Sequence, residues 1–210
     1  MDYAKLFFPT PCAPSFLQSD GSDECFVLLH GISSGAASWS KQLMTQGERY
    51  RLLAWDAPGY GGSALLNTST PTARDYAHSL KQLVTEQKLE RFTLVGHSLG
   101  ALMASAYAAL YPEDVQKLVL ASVAQGYGLA SAEKKQQVYQ MRPQMLARLG
   151  PDGLAKERGP ALLGQPTEAN LALVKKSCPG SHSKVSRRRL IYSLMTVSGT
   201  IWLRFAVRSK

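Results

Sequence analysis

Apolar residues along the chain alternate between short unbroken runs and stretches with helical spacing. Phe26-Val27-Leu28-Leu29, Tyr50 to Trp55, and Phe92-Thr93-Leu94-Val95 have the length and continuity of strands covered on both faces, as in a parallel sheet. Lys117 to Ala121 supplies another strand. Between these runs, Ala36 to Gly47 predicts a helix with Trp39, Leu43 and Met44 on one side, and Thr72 to Lys88 predicts one with Tyr76, Leu80, Leu83 and Val84 inward. A third helix opens straight out of the Phe92 run and closes at Tyr111-Pro112. Upstream, Leu6, Phe7, Phe8, Phe16 and Leu17 suggest two short strands split by prolines, a pairing that a sheet edge tolerates. Alternating strand and helix, with glycine-bearing loops after the strands, predict an α/β architecture: a mostly parallel open sheet with flanking helices.

From Ser131 the strand pattern stops. Lys134 to Leu149 and Thr167 to Lys176 read as helices, separated by glycines and prolines at 150, 151, 153, 159, 160, 164 and 166. The expected organisation is an α/β core over residues 1–125, a helical cap or lid over 126–176, and an atypical basic tail over 177–210.

The chain is 210 residues long, which fits one domain with a sizeable core. Its formal net charge of +9 suggests nucleic acid or anionic membrane until its location is considered. All 15 acidic side chains lie at or before Glu168. Beyond it come Lys175, Lys176, Lys184, Arg187, Arg188, Arg189, Arg204, Arg208 and Lys210 without one carboxylate, so a neutral body carries a basic tail. Arg187-Arg188-Arg189 reads as a solvated charge run, and Leu190 to Leu203 is short for a membrane span, so neither a nucleic acid nor a membrane is the expected partner. Cys12, Cys25 and Cys178 form no C-x-x-C and are odd in number, so neither a disulfide framework nor a metal site is expected. The start of the chain has no charged stretch before an apolar run, and the expected compartment is the cytoplasm.

The chemistry concentrates at Gly96-His97-Ser98-Leu99-Gly100, where a strand becomes a helix with almost no loop. A serine at such a turn is forced into a strained backbone conformation with its hydroxyl exposed above the sheet, and flanking glycines remove Cβ atoms that would collide as strand and helix meet. His30-Gly31 follows the first buried strand, and Asp56-Ala57-Pro58-Gly59-Tyr60-Gly61-Gly62-Ser63 follows the second, a tight loop that Asp56 can hold by accepting neighbouring backbone N–H groups. Gly126-Tyr127-Gly128 lacks the third glycine and the ribose-binding acid of a dinucleotide fingerprint and reads as a loop. His78, on a predicted helix, reads as a surface or core residue.

In this order and spacing these motifs resemble the α/β-hydrolase fold superfamily, over about residues 1–176, and within it the small bacterial esterases, lactonases and carbon-carbon bond hydrolases. The resemblance implies that Ser98 attacks an acyl carbonyl of a small-molecule substrate and passes through an acyl-enzyme. The Leu99 N–H, with one from Ile32 or Ser33, would form the oxyanion hole. His30, Gly31, Asp56, Gly96, His97 and Gly100 would support the loops, and no cofactor or metal is implied. Serine at the elbow excludes a dehalogenase reading, which needs aspartate there.

The family's order is serine, acid, histidine, with acid and histidine each following a strand beyond the cap. Neither strand is visible in this sequence, which reads as C-terminally incomplete for the fold. The one histidine after Ser98 is His182, in a loop-like segment with no acid behind it, which speaks against it as the base. The loss of every acid together with the missing strands suggests a reading-frame change near codon 176. Three readings stay open: a serine hydrolase with its base from His182 or a second chain, a fold that keeps the pocket for binding with little activity, and association through the tail.

Overall fold

A computed structural model of the chain describes residues 14–177, apart from residues 33, 69–70, 125 and 128–129. Leu6 to Phe8, Cys12, Ser33, Cys178, His182 and the arginine run lie outside the described residues. The described strands are β1 (Phe16–Gln18), β2 (Cys25–Leu29), β3 (Arg51–Trp55), β4 (Phe92–His97) and β5 (Val115–Ala121). They form one five-stranded sheet in the order β1-β3-β2-β4-β5. β2, β3, β4 and β5 run parallel, and β1 joins the edge of β3 antiparallel, with Phe16 opposite Trp55. The mostly parallel α/β sheet expected from the apolar runs is therefore present.

Helices α1 (Ser40–Gln46), α2 (Ala73–Glu86) and α3 (Leu99–Leu110) flank the sheet. The inward residues of α2 and α3, among them Leu80, Leu83, Val84, Met103 and Tyr107, pack with Val27, Leu29, Leu53 and Leu94 from one sheet face. Each such fully buried side chain contributes about 1.5–3 kcal/mol through removal from water. The opposite face gathers a smaller cluster of Leu28, Leu52 and Ala54 with Ala36 and Leu43. α2 begins at a full capping box: Asp75 N–H donates to the Thr72 side chain, and Thr72 N–H donates to the Asp75 carboxylate at 2.7 Å. That pairing satisfies two amides the helix leaves open. Buried Asp114 accepts from Lys81 Nζ at 2.7 Å and from the Tyr107 hydroxyl, fixing the start of β5 to α2 and α3.

Two expectations need correction. The predicted helix over Ala36 to Gly47 is a 3-10 turn at Ala36–Trp39 followed by α1, and Met44 is 68% exposed rather than inward. Leu43 already fills the row facing the small cluster, and the next position swings about 100° away from it. Within α4 (Ala132–Leu162) the first helical segment ends at Leu149 as expected, since Gly150 is non-helical at φ 65° and ψ 178°, but the glycine- and proline-rich stretch beyond it, expected only to separate helices, is itself helical as far as Leu162. Pro151 then stands at the first position of the resumed helix, where its missing N–H has no acceptor to lose. α5 (Glu168–Ser177) packs against α4 and against the 3-10 turn at Ala36–Trp39, with Lys41 Nζ donating to Asn170 Oδ1 at 2.7 Å. The expected hairpin between the Leu6–Phe8 run and the Phe16–Leu17 run falls partly outside the described residues; β1 stands at the sheet edge, antiparallel to β3.

Candidate active site

β4 ends at His97 and α3 begins at Leu99, leaving Ser98 alone between them at φ 54° and ψ −112°. A residue with a Cβ is strained there by roughly 1–3 kcal/mol, so surrounding contacts must hold it. Those contacts are visible. Ser98 N–H donates to the Ala121 carbonyl at the end of β5 at 2.9 Å, and the Ser98 carbonyl accepts from Ala101 N–H at 3.1 Å. A Cβ at Gly96 would stand 2.5 Å from the Gly100 carbonyl oxygen, and one at Gly100 would stand 2.3 Å from that of Leu29. Both flanking glycines are required by backbone approach: Gly96 by the first turn of α3, and Gly100 by the end of β2. The serine hydroxyl does not cap the helix it precedes, and Ser98 is half-buried.

The position of Ser98 follows from strand order. β2 lies between β3 and β4, so the chain leaves β2 towards one side of the sheet while β4 leads to the other. The crevice at the carboxyl ends of such strands is where open α/β sheets place ligands. In the β2–β4 register Leu29 is opposite Gly96, which carries Gly31 alongside Ser98 one step beyond the sheet. A Cβ at Gly31 would lie 3.3 Å from Ser98 Cβ and 3.1 Å from His97 Nδ1, so glycine lets the two loops approach.

His30 holds that loop. It is 1% exposed, its Nε2 accepts from Ala57 N–H at 3.1 Å, and its Nδ1 donates to the Gly31 carbonyl at 2.7 Å. An amide can only donate, so Nε2 is unprotonated and the ring is neutral; burial holds its pKa below the ordinary 6.5. No peptide bond in the described chain is cis, and a planar trans peptide points its N–H opposite to its C=O. Anchoring the Gly31 carbonyl therefore turns the Ile32 N–H the other way. The Leu99 amide, first in α3, has no acceptor within its helix. The two N–H groups expected from Leu99 and Ile32 thus belong to loops fixed beside one another, while Ser33 lies outside the described residues.

Asp56 does not hold its own loop in the way its sequence context suggests. Its Oδ1 accepts from Ala36 N–H at 2.7 Å and its Oδ2 from the Ser15 hydroxyl at 2.7 Å. The loop is closed instead by Ser63, whose hydroxyl donates to the Asp56 carbonyl and accepts from Ser15 N–H. Gly61, at φ 48°, leaves room for the carboxylate: a Cβ there would overlap Asp56 Oδ2. Ser15 and Ala36 are not legible as site-supporting residues, because their bonds to Asp56 and Ser63 span 20 or more positions, whereas Ser63 already closes the motif loop it belongs to.

Three histidines lie among the described residues, and none hydrogen-bonds the Ser98 hydroxyl. His30 is committed to two backbone groups. His78 is exposed on α2, with Nδ1 2.6 Å from the Tyr111 hydroxyl, as its helical position predicts. His97 is exposed, and its Nδ1 would lie 3.1 Å from a Cβ at Gly31, so its ring borders the Gly31 loop. No group of three His, Cys, Asp or Glu able to hold a metal occurs among the described residues. No helix among them is long and apolar enough to cross a membrane.

A serine on a strained strand-to-helix turn, at the switch point of an open α/β sheet and beside a glycine loop, has the local geometry of a nucleophile elbow. The chain belongs to the α/β-hydrolase fold family, whose model matches residues 24–154. It is 35% identical over 98 residues to the abhydrolase domain-containing protein abhd-5.2 of Caenorhabditis elegans, covering 45% of this chain and 22% of that protein. It is 37% identical over 101 residues to 2-hydroxy-6-oxononadienedioate/2-hydroxy-6-oxononatrienedioate hydrolase of Paraburkholderia phymatum, covering 46% and 35%. The matched stretch is thus well under half the length of these curated relatives. A thermophilic esterase from Thermogutta terrifontis superposes with a TM-score of 0.68 at 21% identity, covering 86% of this chain and 66% of that one, a likeness of fold.

Proposed function

We propose that the chain carries the nucleophile half of a serine hydrolase acting on a small ester, lactone or related acyl compound. Ser98 attacks the acyl carbon, its proton goes to a base, and the carbonyl oxygen becomes an oxyanion accepting from the Leu99 N–H and the Ile32 or Ser33 N–H. The single observation supporting this most is the left-handed Ser98 backbone, held at the switch point against Gly31. Strain at a crevice persists only where surrounding structure enforces it, and here it raises one hydroxyl beside two fixed amides. α4 and α5 act as the cap that shapes the acyl pocket, which is supported by the packing of α5 on the turn following the oxyanion loop.

A second reading rests on a specific observation: no described histidine is placed to take the Ser98 proton. A serine without its base retains only oxyanion and binding effects, roughly a thousandfold to ten-thousandfold over water. A fluorophosphonate probe separates the two, because labelling requires an activated serine. Labelling of the full chain that is lost in Ser98→Ala supports the hydrolase. Absence of labelling, with a bound acyl analogue still raising the unfolding temperature, supports the binding protein. Labelling that survives Ser98→Ala overturns the assignment of the nucleophile.

A further inference from the structure

Among the described residues, three that are not glycine hold a left-handed backbone: Lys88 (φ 53°), Ser98 (φ 54°) and Ser122 (φ 48°). Lys88 is accounted for by the end of α2. Its N–H donates to the Thr85 carbonyl and the Leu89 N–H donates to that of Val84, a left-handed helix close that satisfies both carbonyls. Ser98 is the elbow. Ser122 closes no helix: it follows directly on β5, whose last residue, Ala121, pairs with His97. The next step of that parallel ladder sets Ser122 opposite Ser98.

In a parallel ladder a residue donates its N–H to the residue before its partner and accepts at its C=O from the residue after it. Ser98 obeys the first half, donating to the Ala121 carbonyl at 2.9 Å. It departs from the second. The donor to its carbonyl is Ala124 N–H, at 3.4 Å, and the Val123 N–H makes no backbone hydrogen bond among the described residues. One extra residue on the β5 side is a β-bulge, and a left-handed first residue turns the chain to admit it. The cause lies across the ladder. At φ 54° and ψ −112° Ser98 has left the extended conformation, so its carbonyl is rotated out of register and a regular strand would present its donor one residue short.

We propose that Ser122 is a positioning residue for the nucleophile: its left-handed turn makes the bulge that grips the peptide groups on both sides of the Ser98 Cα. The Ser98 carbonyl accepts from Ala101 N–H and from Ala124 N–H, so one oxygen with two lone pairs joins the first turn of α3 to the extension of β5. With its N–H and C=O both held, Ser98 has fixed φ and ψ, and with them the direction of its Cα–Cβ bond. Bulges recur beside active sites, where they re-aim a side chain. Here the side chain aimed is the one across the ladder. The catalytic purpose rests on the reading of Ser98 as nucleophile, whereas the backbone pairing does not.

Amide hydrogen exchange of the full chain, followed residue by residue by NMR, tests the pairing. The Ser98 and Ala124 amides are expected to exchange at least tenfold more slowly than that of Val123. A protected Val123 with a fast Ala124 is the pattern of an unbulged ladder and overturns the proposal. Ser122→Val, whose branched side chain is poorly tolerated at positive φ, should speed exchange at Ser98 and slow fluorophosphonate labelling, each at least tenfold, while Val27 in β2 keeps its protection. Ser122→Gly takes the left-handed form freely and should keep both within roughly threefold of the parent. Equal exchange at Ser98 in the parent and both variants, or labelling that Ser122→Val leaves unchanged, overturns the proposal. Circular dichroism checks folding; should Ser122→Val fail it, the Val123 and Ala124 pattern of the parent decides alone. A parent that exchanges as expected but is never labelled counts against Ser98 as an activated nucleophile, and its exchange pattern still upholds Ser122 as the residue that sets the Ser98 backbone.

Discussion

Replacing Gly100 by alanine sets two effects of opposite sign against each other. Gly100 lies in the first turn of α3, where alanine is favoured over glycine by about 1 kcal/mol on helix propensity. Against this, the new Cβ would stand 2.3 Å from the Leu29 carbonyl oxygen and 2.7 Å from that of His30. Both obstacles are backbone atoms at the end of a central strand, bonded into the sheet on either side, so no side chain can rotate away. Reaching ordinary contact at 3.4 Å requires α3 and β2 to part by about 1 Å. Overpacking of this kind costs about 1–3 kcal/mol, and more where backbone must move, so sterics win and Gly100→Ala is expected to lose about 1–3 kcal/mol net. On the proposed mechanism the same displacement would move the Leu99 amide off the oxyanion, and a misplacement of about 1 Å there can cost roughly a hundredfold in rate. Urea unfolding followed by circular dichroism measures the stability change. Gly164→Ala is the control: a Cβ there meets nothing within 4 Å, and its effect should stay within about 0.5 kcal/mol. A Gly100→Ala protein as stable as the parent, or more stable, would refute the close approach of α3 to β2.

The remaining expectations concern strain and titration. Ser98→Gly relieves the left-handed backbone and should raise stability by about 1 kcal/mol after the added entropy of unfolded glycine, while abolishing probe labelling; a fall in its unfolding midpoint would show that Ser98 is unstrained. His30 is neutral when folded with a pKa below 6.5, so below about pH 6.5 the unfolded chain binds a proton that the folded chain does not. Its contribution is therefore full above pH 6.5 and falls by up to about 1.4 kcal/mol per pH unit on acidification, until His30 protonates in the folded state. Urea midpoints from pH 7.5 to 4.5, compared with His30→Gln, isolate this term; parallel pH profiles for the two proteins would contradict the buried neutral ring.

Most of the elements were legible because their signals are local. Continuous apolar runs at β2, β3 and β4, the inward row Tyr76, Leu80, Leu83 and Val84, and the punctuation of Ser98 by two glycines each depend on residues within a few positions of one another. The misread features sit where a local rule met a distant neighbour. Met44 continues a plausible apolar side, but the cluster formed with residues of β2 and β3 takes Leu43 and leaves Met44 exposed.

Sequence by itself determined which residue would be raised at the elbow and why glycine must flank it, since side-chain period and turn chemistry are properties of a short stretch. Only tertiary structure decided that β2 lies between β3 and β4, which sets Gly31 against Ser98, and that Asp56 answers Ser15 and Ala36 rather than its own loop. Those bonds join residues 20 or more positions apart. They form only once the loops between them have closed and the sheet has chosen its order, and no repeating pattern in the chain encodes that choice.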